Sequence, residues 1–408
     1  MAHRHLGLDI VYVAQLVDDS EICRAVAGDA ASFDVSVGET RPAKGTCSKR
    51  LLEGEIPSLI AELPAGQLPA HQSTQVPLSG WFIGVPLQLS DGSIYGALCG
   101  LSRNAAAHLD DRDVRFMSLM AEAMVEELDQ QRRRERLRLD IERLIEAEDL
   151  QIAYQPIIDL HSGECLGMEA LARFPAPFSR PDETFAAAEH VGLRLELERL
   201  AVSKAWSLIP QLAPRQFLAL NVEPRTLLEL AQRADERDDV PLSQVIVEIT
   251  EHSAVESYTV MHHALDRLRR RGLRLAVDDA GAGYASLRHV LELRPDFIKV
   301  DRSLIGGIAT DHARRVAVRA FQSMALDLGA QVVAEGVECL DDLHTVRELG
   351  LHAAQGYLLA KPSTDPDDLA RWVGSQAAPL ARSTRTRRAG GTQAAASAAR
   401  RPGRVPAP

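Results

Sequence analysis

The sequence of 408 residues lacks several things on which a fold or a function is often built. Its five cysteines, Cys23, Cys47, Cys99, Cys165 and Cys339, stand far apart, with no Cys-x-x-Cys pair and no histidine at zinc-finger spacing. A disulfide framework and a structural zinc site are therefore excluded as organising devices, and a reducing, cytoplasmic compartment is expected. No run of about 18 apolar residues occurs, so no membrane-spanning helix is expected. Near the N-terminus Asp9 interrupts the only apolar stretch, which does not read as a leader. Positive charge is also short. The net charge of −11 argues against a general nucleic-acid-binding surface, which carries a clustered basic field. Lysine in particular is scarce, with Lys44, Lys49, Lys204, Lys299 and Lys361 among 46 basic residues, so a lysine inside a motif stands out.

What is present is an ordinary globular balance, 46% hydrophobic and 25% charged, in a chain long enough for at least two domains. The charge is uneven. Seven arginines and no acid fall between Ser375 and Pro408, which leaves −18 on the rest of the chain. That tail, 375–408, has no apolar periodicity and reads as disordered. Residues 1–130 alternate short apolar runs with turn signals, including two strand-like runs around Asp91-Gly92 that predict a hairpin. An antiparallel sheet with flanking helices is the simplest account. From Asp110 to Asp149 there is neither proline nor glycine, and Phe116, Met120, Met124 and Leu128 recur every four residues. One long helix or two in succession is predicted, with 131–148 as a helical linker that either packs on its own domain or connects.

Between 149 and 374 eight apolar runs follow one another: "QIAYQPIIDL", "CLGMEALARF", "FLALNVE", "VIVEITE", "LRLAVDD", "FIKVD", "VVAEGVE" and "AAQGYLL". From the second run onward the gaps are long enough for helices, which predicts an α/β fold of the parallel eight-stranded TIM-like barrel type. The first two runs are separated only by His161 to Glu164, too few residues for a parallel crossover, so the first strand must run antiparallel to the second. Nearly every run ends in a carboxylate, amide or lysine: Glu169, Asn221, Glu248 with Glu251, Asp278 with Asp279, Lys299 with Asp301, Glu335 with Glu338, and Gln355. Barrel strands converge on one mouth at their C-terminal ends. So many carboxylates together repel one another unless divalent cations are present, and oxygen donors suit Mg²⁺ or Mn²⁺. Two such ions clamp a phosphodiester for in-line displacement, and the adjacent pair Asp278 and Asp279 could serve both.

"YQPIIDLHSGECLGMEALARF", followed in order by "NVEP", "VEITE", "VDDAGAGYASL", "DFIKVD", "VVAEGVE" and "QGYLLAKP", resembles the EAL-domain cyclic di-GMP phosphodiesterase family across residues 140–370. The stretch 5–130, above all "GVPLQLSDGSIYGALCGLS", resembles a GAF sensor domain. The resemblance implies hydrolysis of cyclic di-GMP to linear 5′-pGpG with two Mg²⁺ or Mn²⁺ ions, with a second copy of the chain and the dinucleotide as partners and no stable nucleic-acid or membrane partner. It makes Glu169, Asn221, Glu248, Asp278 and Asp279 metal ligands. Glu335 becomes the base for the attacking water and a second-metal ligand, and Lys299 holds that water or the scissile phosphate. Arg173, Leu171 and Gln355 fall to the substrate, Glu338 to a supporting position, and Glu251 anchors the loop that starts at Asp279. Two departures from the family pattern stand out: Ala280 where phenylalanine is usual, and Glu223 where serine is usual. They leave open a weak or inactive receptor that binds cyclic di-GMP and signals through protein contacts. Cys47 and His71 are read as structural rather than as haem or chromophore ligands, and the GAF ligand is left unnamed.

Overall fold

The computed structural model describes residues 2–33, 35–61, 80–103, 109–233, 242–250, 253–281 and 286–374; Glu251, His71 and the arginine-rich tail lie outside them. The chain divides into two compact units, Met1–Leu139 and Asp140–Pro408.

The first unit is built on one antiparallel sheet. Its strands are β1 (Ile10–Val17), β2 (Ser20–Gly28), β3 (Thr40–Pro42), β4 (Leu59–Ile60), β5 (Trp81–Gln88) and β6 (Ile94–Ser102), in the order β3-β2-β1-β6-β5-β4. The β5–β6 hairpin turns at Asp91-Gly92 as expected, with Gly92 at φ +82° and the Asp91 carboxylate accepting from the Ser93 amide at 2.9 Å. Strands β1 and β6 read as nearly continuous apolar runs because both faces of the sheet are covered. Ile10, Tyr12 and Cys99 join one core, and Val11, Val13 and Leu98 join another with Met117 and Ala121. Those last two lie on a single helix, Asp111–Glu146, which settles the choice between one helix and two. At its start the Asp110 carboxylate accepts from the Arg112 amide at 2.6 Å, while Asp111 and Asp113 complement the positive end of the helix. Cys47 is buried, and burial pushes its thiol up to about 11, the opposite of an activated thiolate. All five cysteines are free.

The second unit is a closed eight-stranded barrel: β7 (Gln151–Asp159), β8 (Cys165–Arg173), β9 (Phe217–Asn221), β10 (Val245–Thr250), β11 (Arg274–Ala280), β12 (Phe297–Val300), β13 (Gln331–Ala334) and β14 (Ala353–Ala354). Each strand pair is parallel except those of β7, which is antiparallel to both β8 and β14. The reversal is locally encoded. Asp159 accepts from the amides of His161 and Ser162 at 2.8 and 2.6 Å, and Gly163 takes φ +79°, which turns the chain within the short link. No helix among the described residues is long and apolar enough to cross a membrane.

The barrel interior has an apolar floor of Ile157, Phe217, Ala219, Ile246, Ala276, Phe297, Val333 and Ala353. Side chains alternate along a strand, so the residue two positions on faces the same way. Two positions beyond the floor lie Asn221, Glu248, Asp278, Lys299, Glu335 and Gln355. On the reversed β7 the equivalent step runs backward, from Ile157 to Gln155. One polar layer therefore sits directly above one apolar layer.

Candidate active site

Glu169 on β8 is aligned with Ala219 of the floor and is brought into the same layer. It is buried, at 6% exposure, and is held from two sides: Asn221 Nδ2 donates to its Oε1 at 2.8 Å and Gln355 Nε2 to its Oε2 at 2.7 Å. The Gln355 amide also donates to Gln155 Oε1 at 2.8 Å, and Gln155 donates in turn to the Ala360 carbonyl at 2.9 Å. Gln155 is thus a site residue that the strand-end pattern does not reveal. Behind Gln355 the backbone closes tightly: a Cβ on Gly356 would lie 2.2 Å from the Val337 amide nitrogen, so only glycine fits there.

Lys299 is 1% exposed, and its ammonium lies 2.7 Å from Glu248, 2.8 Å from Glu335, 3.0 Å from Asp278 and 3.3 Å from Glu169. One cation against four ionised carboxylates would leave the cluster three charges negative. Burial opposes charge on Lys299, but Asp278, Glu169, Glu248 and Glu335 together raise its pKa well above the ordinary lysine value. Burial raises Glu248 and Glu335 well above the usual carboxylate range and raises Asp278 above it, with Lys299 offsetting part of the effect and neighbouring carboxylates adding to it. Glu169 goes the other way. Burial would raise it, but Lys299 and the donors Gln355 and Asn221 outweigh burial and hold it low.

Asp278 and Asp279 are adjacent, and on a regular strand their side chains would face opposite ways. Two features prevent this: the β11–β12 register shifts between Val277 and Ala280, and Asp279 takes the left-handed φ of +55°. As a result two carboxylate triads form, Glu169 with Glu248 and Asp278, and Asp278 with Asp279 and Glu335, each with oxygens within 4.8 Å of one another. Asp278 belongs to both, and its buried Oδ1 is paired with the Lys299 ammonium at 3.0 Å. All-oxygen donors, an amide on Asn221 and a carboxylate shared between the two triads fit two hard divalent cations.

The remaining expected residues sort as follows. Leu171 and Arg173 continue β8 at two-residue steps beyond Glu169 and are half-buried at the rim. Glu338 is exposed and belongs to neither triad. Asp301, read as a mouth carboxylate, instead caps helix Arg302–Ile305 by accepting from the Ser303 amide at 2.8 Å. The charge Glu223 adds beside Asn221 is partly offset, because Arg194 pairs with it at 2.6 Å while also pairing with the buried Glu198 at 2.8 Å. Ala280 ends β11 rather than lying in a loop, and packs in the core with Val277, Ile298 and Val300.

The raised carboxyls make a signed prediction. A folded-state pKa above the unfolded value stabilises at low pH, and that contribution is lost as pH rises from the ordinary carboxylate range through the raised value. Glu248→Gln carries the neutral form permanently. In chelator, its melting temperature should gain on that of the unsubstituted protein as pH rises from about 5 to about 8. A gap that stays constant or closes over that range refutes the raised Glu248.

Among curated relatives, a cyclic di-GMP phosphodiesterase of Pseudomonas aeruginosa is 34% identical over 237 residues, covering 55% of this chain and 40% of the relative, so the chain spans less than half of that protein. Among solved structures, an EAL domain protein from Listeria monocytogenes is similar with a TM-score of 0.51 at 25% identity, covering 57% of this chain and 94% of that one. The PaMucR phosphodiesterase in complex with c-di-GMP is similar with a TM-score of 0.51 at 26% identity, covering 57% and 99%. Residues 138–362, more than half of the sequence, match the EAL domain, and the chain belongs to that family.

Proposed function

We propose that the protein is a metal-dependent phosphodiesterase that hydrolyses cyclic di-GMP to linear 5′-pGpG at the barrel mouth. The observation that carries this reading is the pair of carboxylate triads joined at Asp278. The relative named a cyclic di-GMP phosphodiesterase and the PaMucR complex with c-di-GMP support the choice of substrate. Glu169, Asn221, Glu248 and Asp278 would hold one divalent cation, and Asp278, Asp279 and Glu335 the other. Bound there, Mg²⁺ or Mn²⁺ would activate a water molecule and offset charge on the phosphate.

The chain's own residues do the rest. Glu335, its carboxyl raised above the usual range by burial and by Asp278, accepts the proton of the attacking water. Lys299 supplies a fixed positive charge beneath the reacting phosphate and keeps four carboxylates compact. The guanidinium of Arg173 at the rim offers a fork of donors to a substrate phosphate, and Leu171 an apolar contact to a base. Gln355 and Gln155 orient Glu169. As part of the same proposal, residues 1–130 form a GAF-like regulatory domain, for which the six-stranded antiparallel sheet is the support, and 149–374 the catalytic domain. Leu287 and Leu291, one turn apart on helix Ser286–Leu293 and more than half exposed, support a homodimer through that helix face. The free cysteines accord with the cytoplasm.

The test is incubation of the purified protein with cyclic di-GMP and Mg²⁺ or Mn²⁺, with pGpG as readout and Glu169→Ala as control. Product from the unsubstituted protein and none from the variant is expected. Tight binding without product would instead establish a receptor. Ca²⁺ is larger and takes more ligands at longer bonds, so it should inhibit, and full turnover with Ca²⁺ alone would count against a compact two-cation site.

A further inference from the structure

His289 lies on helix Ser286–Leu293, the helix that follows Asp278 and Asp279 in the chain, and is 4% exposed. Both ring nitrogens are engaged: Nε2 stands 3.2 Å from the Ser253 carbonyl oxygen, and Nδ1 2.9 Å from the Tyr258 hydroxyl. A carbonyl oxygen has no proton to give, so Nε2 carries the hydrogen and donates it. In the neutral ring Nδ1 then accepts from the Tyr258 hydroxyl. The two partners come from the connection that follows Glu248. Ser253 donates its amide to the Thr250 carbonyl at 3.1 Å, and its hydroxyl lies 3.0 Å from that of Thr250. Thr250 in turn stands beside Asp278 in the β10–β11 register, two residues beyond Glu248. Tyr258 opens the next helix, Tyr258–Arg269. Contacts therefore run from Asp278 across the ladder to Thr250 and through Ser253 to His289, whose helix follows Asp279 in the chain.

We propose that His289 is a positioning residue that clamps the helix following Asp279 to the connection following Glu248, and so keeps the two carboxylate triads in register at Asp278. The inference rests on the metal-site reading given above. An apolar side chain at 289 would leave the Ser253 carbonyl and the Tyr258 hydroxyl without the ring that joins them. The joining of the two ligand-bearing segments would then fall to the β10–β11 ladder, the Arg288 guanidinium over the Tyr258 ring and the Arg269 guanidinium on the Leu293 and Arg294 carbonyls.

The test titrates the full chain with Mn²⁺ in the absence of substrate, reading free ion by electron paramagnetic resonance, for the unsubstituted protein, His289→Ala, His289→Gln and Tyr258→Phe. Removing a direct partner of a metal ligand weakens binding about 10- to 100-fold. The clamp acts one step further out, so His289→Ala and Tyr258→Phe should weaken Mn²⁺ binding about three- to tenfold. His289→Gln, whose amide can still donate to Ser253, should retain most of the affinity. The KM for cyclic di-GMP at saturating Mn²⁺ should stay within about twofold. Tyr258→Phe keeps the ring and removes one hydroxyl, so it reports on the hydrogen bond even if His289→Ala fails to fold. Unchanged Mn²⁺ affinity in Tyr258→Phe and in folded His289→Ala overturns the clamp while leaving the metal site standing. Absence of Mn²⁺ binding by the unsubstituted protein overturns the metal site, and the clamp with it.

Discussion

Replacing Lys299 by methionine is expected to abolish measurable hydrolysis and to leave a protein that folds stably only when acidified or loaded with divalent cation. The ammonium lies within 3.3 Å of four carboxylates and is almost fully buried. Breaking a buried ion pair by removing one partner costs about 3–5 kcal/mol, because the charge left behind has no compensation. Here four partners lose it at once, in a protein whose whole stability is of the order of 5–15 kcal/mol. The carboxyls can relieve the cost by taking up protons, which is why the variant should recover stability near pH 5. They can also relieve it by binding cations, which is why Mn²⁺ should stabilise the variant more than the unsubstituted protein. Activity is a separate matter. Losing a fixed positive charge at a site of developing negative charge costs about 10²–10³ in rate, even in a variant kept folded. Lys299→Arg should not rescue, since a planar fork cannot replace a compact ammonium that meets four carboxylates at 2.7 to 3.3 Å. Chemical denaturation in chelator at two pH values, followed by turnover with Mn²⁺, checks both halves. Stability equal to the unsubstituted protein near pH 8 would mean that the lysine is not the counter-ion of the cluster.

The barrel was legible because its chemistry is periodic. Each parallel strand from β9 onward places a polar residue two positions beyond an apolar one of the floor, so a run ending in Asn, Glu, Asp, Lys or Gln announces both its strand and its mouth position. The same rule hides Gln155, because on the reversed strand the polar residue precedes Ile157 and looks like one more residue inside a run. It also promotes Asp301, which has the right spacing after Lys299 but spends its carboxylate on a helix start. Glu223 shows the limit of local reading. Its partner Arg194 lies 29 residues upstream and reaches it through tertiary packing, so the sequence gives the charge without the pair that quiets it. In the first unit the long strands and the Asp-Gly hairpin were readable. Strands β3 and β4, of three and two residues, were not, because so few residues carry no detectable alternation and owe their conformation to the neighbouring strand. The position of Asp279 had no sequence signal beyond its adjacency to Asp278, since the register shift that turns it toward Glu335 is set by β12.

Glu335→Gln should separate binding from bond cleavage. Glu335 sits just past the end of β13, in contact with Lys299 at 2.8 Å and in the triad with Asp278 and Asp279. Glutamine keeps the shape and one acceptor oxygen but cannot take a proton from water at neutral pH. If Glu335 is the base, turnover should fall by about 10²–10⁴, while cyclic di-GMP binding at saturating Mn²⁺ stays near that of the unsubstituted protein. The charge effect also has a sign. Three raised carboxyls crowd Lys299, so making one neutral lowers the repulsion within the cluster, and the variant should be no less stable than its parent in chelator near pH 8. Loss of stability together with loss of activity would make Glu335 a structural ion-pair partner instead. The decisive measurement pairs single-turnover formation of pGpG with equilibrium binding of the dinucleotide on the same preparation. Retained binding with a collapsed chemical step assigns proton transfer to Glu335. A parallel loss of both reduces its part to holding a cation, and the base must then be sought among the other carboxylates that meet at Asp278.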